Sequence, residues 1–315
     1  MPIIRARNLW LLLAPAVLAA AWWQHGASRP GDLAAAVGGQ VATSGHARFP
    51  APAREPVRPE PRRETSVPTG LPLDQRAGLE QDADLYGYAQ QLAARIADGD
   101  ADAGWMLSRV YDYCAGYALD PAGYLSDSEW IAHQGSAGMN AMVGARARLA
   151  ARCAGFTPQD GLSAQQVLAQ RVQAARSGSL AAEAALLSAG QPLDSSVAYK
   201  RNLVERVLAS RDPEAYLALS LAMGARASGD DAYEGFVAGD QYAELAWQVA
   251  ACRLGLECGA DGTLMTSYCA IAGICSQDSR QDFESFVYDA AVPRQGASRM
   301  DEMITSLVKG EGVRS

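Results

Sequence analysis

Gly99-Asp-Ala-Asp-Ala103-Gly-Trp-Met-Leu107 and Gly239-Asp-Gln-Tyr-Ala243-Glu-Leu-Ala-Trp247 share one pattern: a turn residue, an alanine four positions on, and an apolar or small residue eight positions on. The same pattern recurs as Ala137-Gly-Met-Asn-Ala141-Met-Val-Gly-Ala145, Gly178-Ser-Leu-Ala-Ala182-Glu-Ala-Ala-Leu186 and Arg211-Asp-Pro-Glu-Ala215-Tyr-Leu-Ala-Leu219, with start-to-start spacings of 38, 41, 33 and 28 residues. Residues four apart lie on one face of a helix, and a small side chain there lets a neighbouring helix approach closely. Spacings of this size suit helix pairs that each bury a face against the next.

Working outward, cap signals stand where helices should begin. Ser163-Ala-Gln-Gln166 reads as a capping box, Asp212-Pro213 as an N-cap followed by proline at the first helical position, and Ser298-Arg-Met-Asp301 as a further start. No alternating β-branched run exceeds three or four residues. The expected body, residues 76–310, is all-α: an irregular, solenoid-like array of helix pairs, with an Ala-rich helical bundle as the alternative.

On Gly99–Leu107 and Gly239–Trp247 above all, and across roughly residues 80–255, the chain resembles the Sel1-like branch of the tetratricopeptide-type helical repeat proteins. It departs from them in its uneven repeat lengths and in retaining the Leu-Gly that follows a repeat's second helix only at Leu254-Gly255. The resemblance implies stacked helix pairs that bind a peptide or protein on a concave face.

The N-terminus predicts the compartment. Arg5 and Arg7 precede the uncharged run Asn8–Trp23, a basic region followed by an apolar one, which is the pattern of an export signal. As a helix these 16 residues would span roughly 24 Å at about 1.5 Å per residue, short of a hydrocarbon core of roughly 30 Å. Residues 1–23 are therefore expected to be a signal peptide, cut after Ala19 or Ala21, or a retained membrane anchor with Trp22 and Trp23 at the interface. Residues 24–75 follow as a linker, with Pro50-Ala-Pro-Ala-Arg-Glu-Pro-Val-Arg-Pro-Glu-Pro61 too proline-rich for helix or sheet. The expected location is periplasmic, either soluble or held at the inner membrane by residues 8–23.

Six cysteines beside an export signal predict disulfides. Cys114 and Cys153 lie 39 residues apart, about one repeat, and are expected to bridge successive helix pairs. In the Cys-rich part, 252–275, Cys252 and Cys258 flank Gly255, and Cys269 and Cys275 flank Gly273. Each half places a glycine where a helix should end. Either each helix exit is bridged to itself or the two exits are joined. The C-x5-C spacing matches neither zinc knuckles nor a redox C-x-x-C, so no metal is expected.

Catalytic signals are sparse. His133 is the one histidine of the body, paired at i,i+4 with Glu129 and accompanied by no nucleophile elbow. Asp98, Asp100, Asp102, Asp230 and Asp231 sit at expected helix starts, where carboxylates cap. No glycine-rich phosphate loop is present, and no cofactor is expected. Residues 76–315 carry 19 basic and 30 acidic side chains, a net of −11 that opposes nucleic-acid binding. Aromatics crowd the first third of the body, and Trp105, Tyr111, Tyr113, Tyr117 and Trp130 are the candidate binding residues. The function expected is a non-enzymatic scaffold for a protein or peptide partner. The alternative is a cell-envelope hydrolase using Asp or Glu residues distant in sequence.

Overall fold

The computed structural model describes residues 73–312. The expected signal peptide or anchor, 1–23, and residues 24–72 of the expected linker 24–75 lie outside the described residues, while residues 73–75 fall in the first helix. The helices all fall in one unit of the chain, Thr65–Ser315.

Among the described residues the chain forms thirteen α-helices, four short 3-10 turns and no strand. In order they are α1 (Leu73–Gln81), α2 (Leu85–Ala97), α3 (Ala101–Leu119), α4 (Pro121–Ala132), α5 (Ala137–Cys153), α6 (Ala164–Arg176), α7 (Leu180–Ser188), α8 (Val197–Ser210), α9 (Pro213–Met223), α10 (Gln241–Arg253), α11 (Thr263–Ala270), α12 (Phe283–Ala290) and α13 (Ala297–Lys309). The all-α array expected from the sequence is the observed fold. None of these helices is long and apolar enough to cross a membrane.

Every copy of the recurring pattern opens a helix: α3, α5, α7, α9 and α10. Gly99, Gly178, Arg211 and Gly239 each adopt a positive φ, turning the chain sharply before the new helix. Asp100, Ser179, Asp212 and Asp240, one residue on, are the N-caps, each accepting from a backbone N–H of the first turn. Only glycine takes positive φ without a Cβ penalty, and Arg211 is the one non-glycine among the described residues that does so. The alanines four positions on, Ala103, Ala182, Ala215 and Ala243, are fully buried, and Ala141 is half-buried. Leu107, Ala145, Leu186, Leu219 and Trp247, eight positions on, are all buried.

The helices stack largely in chain order: α2 on α3, α3 on α6, α6 on α7, α7 on α9, α9 on α10, and α10 on α13. Two features break a simple solenoid. After α9 the second helix of the pair is replaced by the 3-10 turns Ala225–Ala227 and Asp231–Tyr233. And α11 packs back on α5, far earlier in the chain, so the array closes on itself.

Three disulfides form. Cys114–Cys153 joins α3 to α5, whereas Cys252–Cys258 and Cys269–Cys275 each bridge the exit of their own helix. The open choice in the Cys-rich part is thus resolved in favour of local bridges, with Gly255 and Gly273 both at positive φ inside them. The start expected at Ser298 is displaced. Helix α13 begins at Ala297 after the 3-10 turn Arg294–Gly296, and no side chain caps it. Pro293 starts that turn, and the turn runs directly into the helix.

Candidate functional site

The closure of the array gathers a polar cluster in an otherwise apolar interior. Trp105, Ser108, Arg109 and Asp112 lie on one face of α3 at helical spacing. Facing them is Glu214, second residue of α9, whose backbone N–H is held by the Asp212 cap. Glu214 is 1% exposed. Arg109 Nη1 donates to both of its oxygens, at 2.7 and 2.9 Å, and Trp105 Nε1 donates to Oε2 at 3.1 Å. Burial alone would lower the Arg109 pKa, but the charges of Glu214, Glu80 and Asp112 outweigh it, so the pKa is raised and the guanidinium stays charged. A charge so deep in a protein is tolerated only when paired in this way.

A second cross-chain tie lies beside it. Helix α11 has no side-chain cap of its own, because Gly262 occupies the N-cap. Glu80 of α1 supplies the cap instead: its carboxylate accepts from Thr263 N at 2.8 Å and from the Thr263 hydroxyl. From α6, Arg171 donates to Asp112 at 2.7 Å and lies over the Trp105 ring at 5.6 Å.

Two clefts flank these ties. The first, about 460 Å³, lies between α1 and the disulfide-closed loop after α10, with Glu80, Glu214, Glu257 and Asp261 on its walls. The second, about 360 Å³, is lined by Trp105, Arg109, Asp112, Tyr113 and Arg171 on its polar side and by Leu79, Leu217, Ala218 and Ile271 on its apolar side. Thr263 and Ser267 complete it. Burial raises the pKa of Tyr113, and Arg152 opposes that shift, so the phenol is neutral.

Of the aromatic residues singled out from the sequence, Trp105 and Tyr113 line the second cleft, each with little of its surface exposed. The other three are elsewhere. Tyr111 packs edge-on against Phe156 and the buried Tyr117 against Tyr124. Trp130 is 67% exposed on α4, a helix with no buried residue. His133 is exposed, its ring nitrogen 2.6 Å from the Glu129 carbonyl oxygen rather than against the Glu129 carboxylate. Asp100 and Asp230 are caps, and Asp230 also pairs with Lys200. No group of three or more potential metal ligands occurs among the described residues.

Arg109, Glu214, Glu80, Arg171 and Thr263 were not singled out from the sequence. A signal for two of them exists: Arg109 is the single basic residue of α3, and Glu214 is the single charge of an otherwise apolar helix. Glu80 and Thr263, 183 residues apart, carry no such mark.

Comparison with protein-family models, with curated proteins and with solved structures yields no match.

Proposed function

We propose that this chain is an extracytoplasmic helical-repeat scaffold of the Sel1-like kind that binds a peptide or protein partner without chemistry of its own. It works in the periplasm, released or held at the inner membrane through residues 8–23. The observation that carries the reading is the state of Glu80 and Glu214, the two of the four acidic residues lining the larger cleft that are not exposed. Glu214 gives both oxygens to Arg109, and Glu80 gives both to Thr263. A carboxylate saturated by internal donors holds helices together; a general acid or base needs an oxygen facing substrate. The three disulfides support an oxidising location, and the buried small-residue positions support the repeat reading.

The test is photo-crosslinking in intact cells. A photoreactive residue at Ile271, at the mouth of the second cleft and 62% exposed, is expected to trap a discrete partner. The same residue at Val197, exposed on α8 and outside both clefts, is expected to trap none. Equal labelling at both positions, together with loss of envelope-polymer degradation by the purified protein on Glu80→Gln or Glu214→Gln substitution, refutes the scaffold in favour of a hydrolase.

A further inference from the structure

We propose that the second cleft is a receptor for a carboxylate borne on a compact apolar group, with Arg109 receiving the carboxylate and Leu217, Ala218 and Ile271 receiving the apolar group. The inference stands on the cleft alone and does not depend on the scaffold reading.

The unused donors of Arg109 carry it. A guanidinium has five N–H donors in a planar fork. Arg109 commits only Nη1 to Glu214, and its side chain is 14% exposed. Among the described residues no protein acceptor meets its Nε or Nη2, and neither atom is among those buried without a partner. Each of these groups therefore keeps some exposure, and the space that Arg109 lines is the second cleft. The Nε–Nη2 edge is one of the two faces on which arginine grips a carboxylate with two parallel hydrogen bonds. Glu214, behind it, keeps the guanidinium charged and fixed, so little ordering is needed on binding.

The rest of the cleft sets the shape of the ligand. Arg171 adds a second positive charge, steadied by Asp112 and by the Trp105 face. The Ser267 hydroxyl makes no hydrogen bond within the described residues and lines the same space. Half-buried Leu217 and Ala218 and exposed Ile271 supply apolar surface to the same lining. A volume of about 360 Å³ is near the lower end of small-ligand pockets, roughly 300 to 1,000 Å³. Carboxylate and apolar group must then be borne close together, as in a free amino or short-chain carboxylic acid or in the last residue of a peptide.

Calorimetric titration of the full-length, oxidised protein tests this with N-acetyl-leucine, its amide, acetate, and the tripeptide Gly-Gly-Leu. N-acetyl-leucine is expected to bind at least about tenfold more tightly than the amide, which lacks the charge, and than acetate, which lacks the apolar group. Tighter binding of the tripeptide identifies a chain terminus as the source of the carboxylate; tighter binding of N-acetyl-leucine identifies a free acid. Ala218→Trp, which fills the cleft, is expected to weaken binding at least about tenfold. Ile271→Glu, at an exposed position whose change leaves the core intact, places an anion at the mouth and is expected to weaken it severalfold. Equal binding of acid and amide, no saturable binding up to about 10 mM, or unchanged affinity in Ile271→Glu overturns the proposal.

Discussion

Arg211 and Gly178 occupy the same place in the recurring pattern and should respond oppositely to substitution. Arg211 has φ 52°, in the left-handed region, and Gly178 has φ 108°, beyond it. An L-residue in the left-handed region costs about 1–2 kcal/mol, while glycine there loses roughly 0.5–1 kcal/mol more backbone entropy on folding. Arg211→Gly should therefore stabilise the protein by about 0.5–1 kcal/mol. Arg211 is exposed and no ion pair engages it among the described residues, so little is lost with the side chain. Gly178→Ala should destabilise by about 1–3 kcal/mol. Nothing lies within 4 Å of a Cβ built there, so backbone strain is the sole cause. For a domain of this size each kcal/mol moves Tm by roughly 2–4 °C, which urea unfolding and thermal melts both resolve. Arg211→Ala is the control, because alanine keeps the strained φ and should gain nothing. If Arg211→Ala stabilises as much as Arg211→Gly, or if Gly178→Ala is neutral, the backbone reading of the pattern is refuted.

Three further outcomes are expected. By loop entropy, removing Cys114–Cys153 as a double alanine variant should cost about 4 kcal/mol, against about 2 kcal/mol for Cys252–Cys258, because the loops close over 39 and 6 residues; paired urea titrations check the order. Glu214→Gln leaves the buried Arg109 charge uncompensated and should cost about 3–5 kcal/mol, while Arg109→Met with Glu214→Leu should cost far less than the single variant. Glu244, in the first turn of α10, has its pKa raised above the ordinary 4.5 by burial, with Arg226 opposing. Its folded form holds the proton more tightly than its unfolded form, so stability falls as pH rises from the ordinary value through the raised one. Glu244→Gln should then stabilise the protein at neutral pH and have little effect below about pH 4, as denaturation midpoints across pH will report.

The sequence carried the array because the information is local. The turn glycine, the cap and the buried alanine of Gly99–Leu107 all lie within nine residues, and each acts through the geometry of one helix. The exception at the C-terminus is equally local: Ser298 has the chemistry of a cap, but Pro293 and the 3-10 turn start the helix two residues earlier than that cap would. The pairing of Cys252 with Cys258 was left open because either pairing satisfies the same spacing. The clefts were illegible for a different reason. They exist between elements far apart in the chain, α1, α3, α9 and α11, beside the place where Glu80 meets Thr263, and no helical period encodes that meeting. Aromatic content pointed to the right part of α3 through Trp105 and Tyr113, but Tyr117 has the same composition and fills the core. Composition does not say which face of a helix a neighbour leaves open.

The closure also explains why the cluster is charged at all. Apolar faces built on alanine and leucine fit many partners nearly equally well, and α7, α9 and α10 present faces of that kind. An array closing on such faces could slide by a turn at little cost. Arg109–Glu214 and Glu80–Thr263 bind residues 105 and 183 positions apart, each with two hydrogen bonds that a shifted register would leave unmade. An unmade bond to a buried charge is among the costlier defects a fold can carry. The pairs thus fix one closed register more than they add to net stability. In fixing it they hold Arg109 on Glu214 in the lining of the cleft, so the same contact that selects the fold also forms the site.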